Sequence, residues 1–438
     1  MREGRWLGLF NDLHQQLGKT YVETTRGETT INTAHLENYR HVFVLDYASF
    51  GKPSANRKWT MPFIGNSVLN DGPHHKTVKA LIKPVFSRAE GGAESYQRLQ
   101  GFTDKFLDLL PPKRESFDMQ PLCMRLFLDF TTDFIFGNSL NSMEDVAKGD
   151  EFLAAFTTAT KFVGKRRDAG WLAFRYDWNR EYLNACDVVH QFVDAQVTRA
   201  LRETEVDKSA DKYVVLDELA KHIRDPEELR SQVMVIFTPA KHGPAVTLGN
   251  VLFELARHSH RWTRLRQIAL GAGQQQSPLS FQQIQSSEFA EICWVVLETM
   301  RLLGPTGLSQ RFAKRDCILP RGGGQEQDQP IFVPKGTKIY LVMWATHHDP
   351  AIWGEDADKS NPDRWKDREQ PREWEWLPFI AGPRMCPAAY QAFVHTAYIL
   401  ARLLQKYEAI ENHDPEERYV EEWAMAYESR NGVKIAFR

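Results

Sequence analysis

One cysteine in this 438-residue chain stands where a thiol can do chemistry. Phe379-Ile380-Ala381-Gly382-Pro383-Arg384-Met385-Cys386-Pro387-Ala388 is a loop shaped by Gly and Pro, and from Tyr390 to Leu404 the pattern becomes apolar, Ala-rich and helical in spacing. Cys386 therefore lies just before a helix N-terminus, where the helix dipole and free N–H groups favour the thiolate, and Arg384 adds a cation two residues upstream. A soft anionic sulfur held this way suits iron. A lone cysteine is more often a small buried hydrophobe, so the surrounding chain has to decide.

Two further groupings accompany it. Glu298-Thr299-Met300-Arg301 sets an acid and a base three apart on one helical face, and Asn361-Pro362-Asp363-Arg364-Trp365 follows before the cysteine loop. Such a pair on an open surface is worth only a few tenths of a kcal/mol, so it carries weight only in company. His75 and Lys79 lie four apart on an amphipathic helix that Gly72 and Pro73 start. Taken alone, they read equally well as a solvated basic face.

The elements that must position these residues are mostly helical. From Trp6 to about Asn70, alternating runs such as Thr20-Tyr21-Val22-Glu23-Thr24-Thr25 and Thr29-Thr30-Ile31-Asn32 predict a small sheet with one helix over Leu36 to Val44. Between Tyr96 and His222, helical periodicities are broken at Pro111-Pro112 and at Asn138 to Asn141. Arg224 to His258 predicts one long helix, with Asp225 as N-cap, Pro226 at the first position and acids behind it. Pro239 and Pro244 fall inside it; each interior proline costs about 3 kcal/mol, so the helix is expected to kink or open there. Leu303 to Leu308 predicts a turn, Arg321-Gly322-Gly323-Gly324-Gln325 a flexible hairpin, and Pro330 to Thr337 and Lys338 to Trp344 two strands. The fold class is mainly α with a small β-lobe.

The composition narrows the function. Hydrophobic residues at 42% support a sizeable core, and 55 basic against 57 acidic residues leave no nucleic-acid footprint. Without Gly/Ser or Pro-rich linkers, residues 1–438 read as a single domain. Cys123, Cys186, Cys293, Cys317 and Cys386 form no CxxC pair and no disulfide framework, which fits a reducing, intracellular compartment. No run approaches the ~20 apolar residues of a membrane span.

Phe379, Gly382, Arg384 and Cys386 occupy the positions of Phe-x-x-Gly-x-Arg-x-Cys, and in this the chain resembles the cytochromes P450. The family usually has Gly two residues after the cysteine, where this chain has Ala388. The resemblance extends from about residue 10 to the C-terminus and is closest in style to fungal members that hydroxylate alkanes and fatty acids. It implies a haem b (iron protoporphyrin IX) between a long distal helix and the helix after the cysteine loop, with Cys386 as the iron ligand. Arg384, Arg311, His75 and Lys79 would meet the haem propionates, and Phe379 and Gly382 would leave room for the porphyrin edge. Glu298, Arg301 and Arg364 match the family's Glu-x-x-Arg motif and its later arginine, implying a buried ion network. Phe162, Phe174, Phe237, Thr306 and Leu308 fall where the family lines its substrate pocket. A membrane anchor that relatives carry ahead of this region would place the protein on the endoplasmic reticulum; without one it would be cytoplasmic.

The distal helix departs from the pattern. Aligning its flanks sets Pro239-Ala240-Lys241-His242-Gly243-Pro244 on the family's Ala/Gly-Gly-x-Asp/Glu-Thr-Thr stretch, so the acid position holds His242 and the alcohol position Gly243. Splitting dioxygen requires an ordered proton donor there, and glycine offers none. His242 could shuttle protons near neutral pH and Thr247 could hold a water. Three readings follow: a haem-thiolate enzyme that isomerises, cyclises, dehydrates or uses peroxide on a lipophilic metabolite, which is favoured; a monooxygenase fed by NADPH–cytochrome P450 reductase; and a silent haem-binding protein.

Overall fold

The computed structural model describes residues 5–25, 27–52, 56–67, 71, 78–82, 86, 93–203, 213–271, 279–366, 373–423 and 426–438. The chain opens with a helix, Trp6–Leu17, that the sequence reading missed. Its buried Leu7, Phe10 and His14 make a stripe of only three residues at helical spacing, hidden among polar neighbours. Gly18, at φ 92°, ends it.

Thr20–Thr25 then pairs antiparallel with Glu28–Thr33, Val22 facing Ile31. Glu28–Thr33 runs parallel to Lys338–Leu341, which pairs with Ser309–Ala313, which in turn meets Phe50–Gly51. This five-stranded sheet, assembled from both ends of the chain, is the expected β-lobe. Ile31, Ile339, Leu341, Tyr39 and Phe43 form the apolar layer beneath it. The expected strand to Trp344 stops at Leu341, because Met343–His347 coils into a helix. The glycine run lies in the expected hairpin: Cys317–Gly323 pairs with Gln329–Val333, and the Asn38 amide donates to the Arg321 carbonyl at 3.0 Å. Gly322 (φ 122°) and Gly324 (φ 74°) supply the left-handed backbone that closes this hairpin.

Helices Ala93–Leu109, Met119–Phe136, Val146–Ala169, Arg180–Glu203 and Val215–Ala220 follow, with breaks at the predicted prolines and asparagines. A small sheet of Phe117–Asp118, Lys434–Phe437 and Ile410–Asn412, which local periodicity did not announce, ties the middle of the chain to its end.

The long helix spans Pro226–Arg257, and the Asp225 carboxylate accepts the Glu228 N–H at 2.7 Å as its N-cap. It stays helical through Pro239 and Pro244, so the expected opening does not occur. Packing overrides propensity: Leu229 to Phe237 belong to one hydrophobic core and Ala245 to Ala256 to another, and the helix is the wall between them. The second core also takes in the buried face of the last long helix, Ala389–Lys406. Among the described residues, no helix is long and apolar enough to cross a membrane.

Candidate functional site

The cysteine loop is held by its own backbone. The Cys386 N–H donates to the Phe379 carbonyl at 3.1 Å, Met385 N–H to Gly382 at 3.0 Å, and Ile380 N–H to Leu377 at 3.2 Å. Gly382 sits at φ 68°, and a Cβ there would lie 2.2 Å from the Phe43 carbonyl oxygen, so no other residue fits. Ile380, β-branched, is also forced to φ 55°. Phe379 packs against the core shared by the long and last helices, and Ala388 borders the other core, as does Ala240 of the long helix.

Cys386 corrects one expectation. Its pKa is raised, because burial outweighs the hydrogen bond from the Ala388 backbone that stabilises the sulfur anion. Arg384 does not assist the sulfur, since its guanidinium is committed to Asp71 and, at 3.1 Å, to the Tyr47 hydroxyl. A thiolate here needs a metal to stabilise it.

Glu298, Arg301 and Arg364 meet in a buried knot. The Glu298 carboxylate, fully buried, accepts from Arg301 Nε (2.9 Å) and Nη2 (2.8 Å), Arg364 Nε (3.0 Å), Trp365 Nε1 (3.0 Å) and the Asn361 N–H (2.9 Å). Arg301 also donates to the His347 carbonyl, and His347 Nε2 accepts the Leu377 N–H at 2.9 Å. The ion network therefore reaches the start of the cysteine loop through one histidine.

Above that loop lies a concentration of positive charge. Arg311 is 1% exposed; its Nη1 donates to the Ser309 hydroxyl and the Gln310 carbonyl, but its Nη2 has no hydrogen-bond partner among the described residues. Burial and the neighbouring Arg384 push its pKa down to about 10. Lys52 is depressed well below the usual lysine range by burial, Arg311 and Arg384. Asp71, which accepts the Lys52 N–H at 2.8 Å, is the carboxylate set against all three cations. A buried, unpartnered guanidinium nitrogen among excess positive charge fits a group bearing carboxylates, as a haem does. Lys52, Tyr47 and Asp71 were missed by sequence reasoning, since only tertiary folding brings them to Arg311. Lys79 is half-buried in the helical stretch 78–82, and His75 lies outside the described residues.

On the long helix, Ala240 and Gly243 are only partly covered and Pro239 is exposed, although most of its other residues are buried. A Cβ added at Gly243 would meet nothing within 4 Å. The Thr247 hydroxyl donates to the Gly243 carbonyl at 2.9 Å. His242 is buried, and its pKa falls to about 3 through desolvation and the nearby Lys241. Burial thus disfavours the charged ring near neutral pH, where the sequence alone suggested a charged shuttle. Its Nε2 lies 3.4 Å from Glu428 Oε2 without hydrogen-bond geometry. Glu428 belongs to a C-terminal hairpin, Glu421–Trp423 with Tyr427–Ser429, and no local signal marked it. That hairpin is fastened over the helix: Tyr427 N–H donates to Pro305, and the Tyr419 hydroxyl donates to Asn250, whose amide donates to Leu303.

The expected pocket residues divide. Leu308 is half-buried against the cluster containing Tyr427, and Thr306 is half-buried in the same loop. Phe237 is enclosed by Phe136, Phe152 and Phe156, and Phe162 stacks on Tyr182 at 5.3 Å, so both are core residues. Phe174 is 49% exposed on the surface.

Comparison with known proteins agrees with this geometry. The family model "Cytochrome P450" matches residues 3–434. The chain is 32% identical to the cytochrome P450 monooxygenase iccC of Talaromyces variabilis, over 100% of this chain and 87% of the relative. It is 33% identical to the cytochrome P450 monooxygenase tenA of Beauveria bassiana, with the same coverage, and 32% identical to apdE of Emericella nidulans, another cytochrome P450 monooxygenase, over 100% of this chain and 84% of the relative. With a Gly-shaped cysteine loop, a buried Glu-Arg-Arg knot, a cationic cradle and a long helix with a partly open face, the chain belongs to the cytochromes P450, haem-thiolate oxidoreductases.

Proposed function

We propose that residues 1–438 form one domain that binds haem b and oxidises a lipophilic, natural-product-like small molecule as a monooxygenase, with electrons from NADPH–cytochrome P450 reductase. The observation that carries the reading is the pairing of an open helix face at Ala240 and Gly243 with the unpartnered Arg311 nitrogen beside the cysteine loop. The relatives' printed activity, monooxygenase, supports net oxidation. The protein acts inside the cell, at the endoplasmic reticulum if an anchor accompanies it.

Cys386 would hold the iron, and Arg311, Arg384 and Lys79 would neutralise the propionates. The bound haem supplies the oxidising chemistry. The chain's own residues do the rest: the Glu298 knot fixes the loop through His347, the long helix and the hairpin exclude water, and Leu308 and Thr306 face the substrate. Gly243, with no hydroxyl, favours a second reading in which the substrate is isomerised, cyclised or dehydrated, or brings its own peroxide.

Reconstitution with reductase separates the two. The monooxygenase reading expects one NADPH and one dioxygen consumed per product. Product formed without NADPH selects the second reading, and ligand binding with no turnover selects a silent haem protein.

A further inference from the structure

The distal helix of this chain lacks both its customary acid and its alcohol, yet a carboxylate reaches the same place from another element. Glu428, on the C-terminal hairpin, lies 3.4 Å from His242 Nε2, and the two side chains are only 15% and 10% exposed. Two buried polar groups so close, one with an unsatisfied ring nitrogen, are costly unless a hydrogen bond joins them, and a proton on Glu428 would supply that bond. We propose that Glu428 is the proton donor of the distal site and passes its proton through His242, replacing the acid that the helix has lost. The inference rests on the monooxygenase reading.

The groups facing Glu428 support this role. Lys241, 2% exposed, lies over the Phe156 ring at 4.0 Å and makes no hydrogen bond among the described residues. Its ammonium acts on Glu428 as a charge, while Glu422 on the paired strand opposes it and Lys161 on Val146–Ala169 assists. Burial dominates and lifts Glu428 to about 7, so at neutral pH it carries a proton part of the time, as a general acid must. Lys241 itself is lowered to about 8 by burial, against the pull of Glu428. Tyr419, also near, is held un-ionised by burial.

The step balances. The Glu428 O–H bond breaks and an N–H bond forms at His242 Nε2, while the proton already on the other ring nitrogen leaves toward the distal face. The imidazole stays neutral, in keeping with its lowered pKa, changes only its tautomer, and regains its starting arrangement by a half-turn of the ring before the next proton. The carboxylate left behind faces Lys241. It is reprotonated from solvent at the rim, where Lys161 and Glu422 stand 3.9 Å apart and about half exposed.

The test uses the full-length holoenzyme with reductase, comparing wild type with Glu428→Gln, Glu428→Asp and Lys241→Met. In infrared pH-difference spectra, wild type should show a carboxylic C=O band titrating near neutrality; Glu428→Gln should lack it, and Lys241→Met should move its midpoint to higher pH. In turnover, Glu428→Gln should lose at least tenfold in product per NADPH, with hydrogen peroxide released instead, and Glu428→Asp should recover part of the loss. The reduced carbon-monoxide spectrum checks that each variant folds around its haem. A band unchanged in Glu428→Gln, or wild type and Glu428→Gln coupling NADPH alike, overturns the relay. Wild type forming product without NADPH overturns the monooxygenase reading and the relay with it, and is told apart because NADPH is then spared by every variant.

Discussion

Replacing Glu298 by Gln removes the one anion that serves two buried guanidinium groups. In the wild type, Arg301 and Arg364 are 0% and 9% exposed at the side chain, and three of the five hydrogen bonds to Glu298 come from them. The glutamine keeps the shape but turns an NH2 group toward donors, leaves the fully buried Arg301 without counter-charge and leaves Arg364 with only Asp356, 3.1 Å away. Breaking a buried pair in this way costs about 3–5 kcal/mol, far more than the few tenths expected of an exposed pair at the same spacing. Because Arg301 also holds His347 and His347 holds Leu377, the loss should reach the cysteine loop. The assay is urea unfolding of the apoprotein by tryptophan fluorescence, with haem titration in parallel. The midpoint should fall by roughly 1 M, given a denaturant slope of a few kcal/mol per M, and haem affinity should fall with it. A loss under about 1 kcal/mol would show that the knot is effectively solvated and refute the reasoning.

Three further outcomes follow from the same geometry. Arg311→Leu should lower haem affinity in titrations of the apoprotein by about 10- to 100-fold, the worth of one charge-assisted hydrogen bond, while leaving apoprotein stability unchanged or higher, because a buried charge with no carboxylate bonded to it is gone. Gly382→Ala should cost more than about 2 kcal/mol in unfolding experiments, since its Cβ would collide with a backbone oxygen at a left-handed φ. His395, buried on the last long helix against Phe130, is lowered by burial to about 4. The unfolded chain therefore takes up its proton first as pH falls, so stability present above the ordinary histidine pKa of about 6.5 is lost on the way down to about 4. His395→Leu should flatten part of that decline, read as unfolding midpoints at pH 4.5, 5.5 and 7.

What could be read without coordinates was whatever is local. The Cys386 loop, the Glu298–Arg301 spacing and the capped start of the long helix are each written within a few consecutive residues. The errors have a common physical cause, which is burial. Pro239 and Pro244 weaken a helix in isolation, but two cores pack against this one and keep it helical through them. Arg384 was assigned to the cysteine by proximity in sequence, while in space it turns to Asp71 and Tyr47. His242 was credited with an ordinary histidine pKa that a buried ring beside a lysine does not keep. Glu428 and Lys52 are far in sequence from everything they touch, and periodicity carries no information about such meetings.

The hairpin that carries Glu428 is also fastened to the chain's opening: the Glu421 carboxylate accepts the Leu7 N–H at 2.8 Å, and Trp6 stacks on Tyr427. Tyr427 and Ser429, the neighbours of Glu428 on this ribbon, are themselves buried, so the carboxylate is held from both sides of its own strand. The first helix thus acts as a strut: displacing Trp6–Leu17 would loosen the far end of the chain and, with it, the carboxylate beside the long helix.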